Sequence, residues 1–111
     1  MVKVELLYFE GCPGYRKAEQ SLKGALSREG VRCEVGLVAV DTDEEAEALK
    51  FPGSPTVRLD GRDLFPVVER NDWHLGCRLY PSPDGFKDHP TEEMIRTALR
   101  KSGSVSGAGR G

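Results

Sequence analysis

The sequence predicts a single-domain α/β fold with the element order β-α-β-α-β-β-α, a mixed sheet flanked by helices. Three observations predict it. Strand-like apolar stretches alternate with helical periodicity through the first half of the chain, two short strand-like stretches follow, and an amphipathic helix closes the pattern. The alternation implies a parallel βαβ start, because parallel neighbours need a crossover connection. The closing β-β-α implies an antiparallel hairpin with a helix packed on the sheet.

Val2 to Phe9 reads as the first strand. Its second half, Leu6-Leu7-Tyr8-Phe9, is apolar on both faces, as a central strand covered from both sides would be. Glu10-Gly11-Cys12-Pro13-Gly14 breaks the pattern. A helix is expected from Pro13 to about Glu29, with Tyr15, Ala18, Leu22, Ala25 and Leu26 on one face. Pro13 suits a first helical position, and Gly30 a helix stop. Val31 to Val40 reads as the second strand, with Val31, Cys33, Val35 and Leu37 alternating inward. The acidic run from Asp41 opens a short helix to about Lys50, where Thr42 and Glu45 have capping-box spacing.

Phe51-Pro52-Gly53-Ser54-Pro55 is a turn-rich hinge. Thr56 to Asp60 is the third strand, and Asp60-Gly61 a turn. Residues 62–76 carry no clear period. Cys77 to Tyr80 reads as a short fourth strand, and Pro81 to Gly85 as a loop. The last helix is expected from about Thr91 to Lys101, with Met94, Ile95, Ala98 and Leu99 on its apolar face. Residues 1–101 then form the domain, and 102–111 a disordered Gly/Ser-rich tail.

The bulk numbers narrow the function. The chain has 111 residues, 38% hydrophobic and 31% charged, with a net charge of -2. That balance argues against a nucleic-acid partner, which calls for a basic excess. No apolar run approaches the roughly 18 residues of a membrane helix. Glu5 and Glu10 interrupt any signal-peptide core, so the expected setting is cytoplasmic, without a membrane partner. Three cysteines, Cys12, Cys33 and Cys77, do not make a disulfide framework, and none has Cys-x-x-Cys spacing. No Walker loop, dinucleotide fingerprint or Ser/His/Asp signature is present, and no cofactor is expected.

Phe9-Glu10-Gly11-Cys12-Pro13-Gly14-Tyr15 and Gly53-Ser54-Pro55-Thr56-Val57, together with the element order, make the chain resemble the thioredoxin superfamily over about residues 2–101. With Gly76-Cys77-Arg78-Leu79-Tyr80 added, it is similar to a group of small bacterial thioredoxin-like proteins, some of which carry an alkylmercury-lyase label. The resemblance implies a thioredoxin-like fold with a cis Pro55. It also implies that Ser54, Pro55 and Thr56 present backbone to an extended substrate. The chain departs from the dithiol pattern, because Tyr15 stands where a second cysteine would be, and Leu6 where many members carry a buried acid.

Cys12 is the candidate nucleophile. A thiol reacts as its thiolate, and a helix start offers unpaired N–H groups and partial positive charge to an anion. Arg16 and Lys17 add positive charge one turn on. Pro13 and Tyr15 complete the candidate catalytic set; Tyr15 packs on the helix's apolar face or leans its hydroxyl over the thiol. Without a neighbouring cysteine, Cys12 works by a monothiol route in which a small thiol resolves a mixed disulfide, or with Cys77 as partner. A simple hairpin would put Cys77 at the sheet end opposite Pro55, too far for a disulfide, which needs Cα atoms within about 7 Å. Cys33 reads as an inert strand cysteine.

The remaining residues have blander readings. Trp73 and His74 read as a loop anchor or a groove lining, His89 as an exposed residue before Pro90, and Asp60, Arg62 and Asp63 as a solvated turn. The first hypothesis is thiol–disulfide exchange with a low-molecular-weight thiol or a protein disulfide. The second is binding or processing of a soft metal ion such as mercury through Cys12 and Cys77; full carbon–mercury cleavage would also need a proton donor, and Glu10 is nearby in sequence. The third is a binding scaffold without catalysis. A monomer or weak dimer is expected in each.

Overall fold

β1 (Val4–Tyr8) is the strand around which the others are arranged. The computed structural model describes residues 3–66, 73, 76 and 78–102. On one side β1 pairs in parallel with β2 (Val35–Ala39), from Val4 opposite Val35 to Tyr8 opposite Ala39. On the other it pairs antiparallel with β3 (Thr56–Leu59), Val4 facing Leu59 and Leu7 facing Thr56. β4 (Arg62–Asp63) adds to β3, so the sheet order is β2-β1-β3-β4. The mixed sheet of the sequence reading is present, with three helices.

α1 (Tyr15–Arg28) supplies the crossover between the parallel strands. α2 (Asp43–Leu49) joins β2 to β3, and α3 (Glu92–Ser102) packs along α1. The period-two alternation of β1 divides the core. Val4 and Leu6 face a cluster with Ala18, Leu22, Ala25 and Leu26 of α1, Val57 and Leu59 of β3, and Ile95 and Leu99 of α3. Leu7 faces the other way, onto Val40, Ala46 and Phe51. A buried leucine of this kind contributes about 1.5–3 kcal/mol by leaving water. Both faces of β1 are therefore covered, as its doubly apolar sequence predicts.

The caps follow the side chains. Thr42 Oγ1 accepts from the Glu45 amide at 3.0 Å, and Glu45 Oε1 accepts from the Asp41 amide at 2.7 Å. Asp60 and Gly61 both have positive φ, 53° and 84°, and form a two-residue hairpin turn that seats Arg62 opposite Leu59.

The structure corrects several boundaries. The second strand begins at Val35, not Val31, and Leu37, expected inward, is 48% exposed because β2 is the edge strand. The fourth strand is Arg62–Asp63 rather than Cys77–Tyr80, because the tight Asp60-Gly61 turn returns the chain directly onto β3. The stretch read as a loop is a separate hairpin of β5 (Tyr80–Ser82) and β6 (Gly85–Lys87). Ser102 closes α3, so the helix runs one residue past the expected domain end. The remaining tail lies outside the described residues. Among the described residues, no helix is long and apolar enough to cross a membrane.

Candidate functional site

Cys12 lies in the turn that leaves β1. Its amide donates to the Phe9 carbonyl at 3.1 Å, and Gly11 makes the turn with a φ of 89°, a conformation that costs glycine little. Phe9 also faces the other way: its own amide donates to Ser54 Oγ at 3.4 Å. One residue thus ties the Cys12 turn to the Ser54 segment. The Cys12 side chain is 6% exposed and belongs to neither apolar cluster.

The helix start differs from the sequence reading. Gly14 is the N-cap of α1, so exposed Pro13 precedes the cap instead of occupying the first helical position, and Cys12 stands two residues before the cap. Gly14 is required there by close approach, since a Cβ would lie 2.1 Å from the Asp88 carbonyl oxygen. Asp88 brings a carboxylate to this helix end. Its carboxyl is held below the usual range chiefly by the hydrogen bond with His89 Nδ1, at 2.8 Å, against the opposing effect of burial, with further help from the charges of His89 and Lys17. His89, expected to be merely exposed, is half-buried and engaged with Asp88.

Tyr15 stacks on Tyr8, with ring centroids 4.1 Å apart and planes 12° from parallel. The Arg16 guanidinium lies 5.3 Å from the Tyr15 centroid on the same surface. Partial burial, then the Tyr15, Glu10 and Asp41 charges, raise the Tyr8 phenol, while Arg16 opposes them.

Ser54, Pro55 and Thr56 are buried, and the Ser54–Pro55 bond is cis. The expectation that Ser54 offers free backbone is not met. Its amide donates to the Gly76 carbonyl at 2.8 Å, and its carbonyl accepts from the Arg78 amide at 2.9 Å. The Pro55 carbonyl accepts from the Tyr80 hydroxyl. Thr56 Oγ1 donates to the Gly53 carbonyl at 2.6 Å and accepts from Arg78 Nη1 at 3.1 Å. Arg78 also meets Asp63 Oδ2 at 2.9 Å and the Phe65 carbonyl, and its guanidinium lies 4.7 Å from the Tyr80 centroid. Phe65 meets Tyr80 edge to face at 5.4 Å. Burial pushes the Tyr80 phenol far above its ordinary range; Arg78 opposes this, and Asp63 and Cys12 reinforce it.

The roles of Arg78, Tyr80, Phe9 and Asp88 were not read from the sequence. The alternation of Arg78 and Tyr80 in a strand-like stretch was the available signal, because i and i+2 share a face. Asp63, read as part of a solvated turn, is the largely buried partner of Arg78. Cys77 and His74 lie outside the described residues, while Trp73 is half-buried. Gly76 and Arg78 nevertheless return to the Pro55 end of β3, the end that a simple hairpin would have left remote. Cys33 lies ahead of β2, packed against the larger cluster, and burial raises its thiol. Among the described residues, no group of three or more His, Cys, Asp or Glu could hold a metal ion. A groove lined by Leu64, Phe65, Leu79, Pro81 and Met94 includes Arg78 and Tyr80 but not Cys12. No family model, curated protein or solved structure matches this chain.

Proposed function

We propose that this protein is a thioredoxin-like monothiol redox protein of the cytoplasm, in which Cys12 performs thiol–disulfide exchange. The observation that carries the reading is the Phe9 bridge, which holds the Cys12 turn against the Ser54 segment through one amide and one carbonyl. The parallel β1–β2 pair with its α1 crossover, and the antiparallel β3 and β4 beyond, agree with it. In the forward step the Cys12 thiolate attacks one sulfur of a disulfide. The Cys12–S bond forms as the substrate S–S bond breaks, and the departing thiolate takes a proton from water. A second thiolate then attacks the mixed disulfide and regenerates Cys12. The raised Tyr80 phenol stays protonated at neutral pH and carries no negative charge there.

The test is mass spectrometry after mild oxidation with glutathione present. A mixed disulfide on Cys12 is expected; an unmodified Cys12 contradicts the reading. A second reading takes Cys77 as an internal resolving thiol. It is favoured by the bonds from Gly76 and Arg78, its neighbours in sequence, to Ser54. The same experiment then returns a bond between Cys12 and Cys77.

A further inference from the structure

A strand that recognises an extended peptide must offer free N–H and C=O groups along one edge. At Ser54 both groups are already used, by Gly76 and Arg78, and the next carbonyl, of Pro55, is taken by Tyr80. The occupant is firmly held. Arg78 is 7% exposed, and its guanidinium is shared among Thr56, Asp63 and Phe65. Displacing it would leave a cation and a carboxylate without partners in a largely buried setting, which costs far more than one exchanged backbone bond.

We propose that this self-pairing restricts the Cys12 site to low-molecular-weight disulfides and excludes extended polypeptide substrates. The inference rests on the redox reading and specifies its substrate class. A small disulfide presents a sulfur pair flanked by methylenes and needs no backbone partner, which suits a thiol only 6% exposed. The Cys12 thiolate attacks one of its sulfurs, the mixed disulfide forms, and the other half leaves as a thiolate that is protonated by water.

The experiment uses the full chain and two probes: glutathione disulfide, and a nine-residue peptide carrying one central cysteine as its glutathione mixed disulfide. Forming the Cys12–glutathione adduct from the first probe and the Cys12–peptide adduct from the second each expels glutathione as the leaving group, and these two adducts are followed by site-resolved mass spectrometry. The Cys12–glutathione adduct is expected to form at least tenfold faster than the Cys12–peptide adduct. Peptide transfer as fast as or faster than glutathione transfer overturns the proposal while leaving the redox reading in place. No adduct from either probe overturns the redox reading itself, and the proposal with it. In Arg78→Met the peptide rate is expected to rise toward the glutathione rate; a folded variant with an unchanged ratio also overturns the proposal. Circular dichroism establishes that the variant is folded, and where it is not, the wild-type ratio decides.

Discussion

The guanidinium of Arg78 lies 2.9 Å from the carboxylate of Asp63, with the two side chains 7% and 16% exposed. This pair joins β4 to the residues that bond the Ser54 segment. A pair so far removed from water stabilises little relative to apolar substitutes, but breaking it strands a charge.

Asp63→Ala is therefore expected to lower stability by about 3 kcal/mol, as loss of one partner of a buried pair does. Replacing both residues, in Arg78→Met with Asp63→Leu, is expected to recover most of that loss. Urea unfolding of the wild type and the two variants checks it. A single variant within about 0.5 kcal/mol of wild type contradicts the burial argument.

Tyr80→Phe removes the hydroxyl that bonds the Pro55 carbonyl and leaves that buried acceptor unpaired. The expected loss is about 1–3 kcal/mol, with the fold retained because the ring still packs on Phe65 and Arg78. Chemical denaturation, with the near-ultraviolet spectrum as a check on ring packing, measures it.

Two glycines of the first helix are expected to respond oppositely to alanine. Gly14→Ala places a Cβ against the Asp88 backbone carbonyl, which cannot rotate away, and is expected to cost about 1–3 kcal/mol. At Gly24 the atom met is Glu92 Oε1, at 2.5 Å, the far end of a flexible side chain. There the gain in helix propensity, about 1 kcal/mol, offsets the displacement, and Gly24→Ala is expected to be neutral or mildly stabilising. Paired thermal melts distinguish the two.

Glu29 ties the end of α1 to α3 through Arg96 Nε at 2.9 Å and Arg100 Nη2 at 2.8 Å. The hydrogen bonds from Arg100 and Arg96 hold its carboxyl below the ordinary value of 4.5, against partial desolvation. A carboxyl lowered on folding stabilises fully above its unfolded value, and that contribution fades as pH falls through the lower folded value. The stability gap between wild type and Glu29→Gln is thus expected to be constant from pH 7 to about pH 5 and to close below pH 4.5. A gap that does not narrow as pH falls below 4.5 contradicts the ionic origin.

The sequence carried the sheet's centre because local and global signals agree there. Leu6 and Leu7 are adjacent, so a strand must bury them on opposite faces, and both faces are covered. Thr42 with Glu45 and Asp60 with Gly61 are equally local, since cap and turn close within a few residues. Leu37 misled because alternation gives a residue's face but not whether the strand lies at the sheet edge. The cis bond at Pro55 was legible, and the contacts around it were not. Asp63 and Arg78 are fifteen positions apart, and nothing in a charged turn marks one carboxylate as the partner of a distant arginine. The bonds from Gly76 and Arg78 to Ser54 use backbone groups, which carry no sequence signature.

The proposed function depends on Cys12 as the working thiol. It is tested most directly by following iodoacetamide labelling of the folded protein at pH 7, residue by residue. Cys12 is expected to be labelled at least tenfold faster than Cys33, whose thiol is raised by burial. Labelling of Cys33 ahead of Cys12, or a Cys12 that labels only after unfolding, would contradict it.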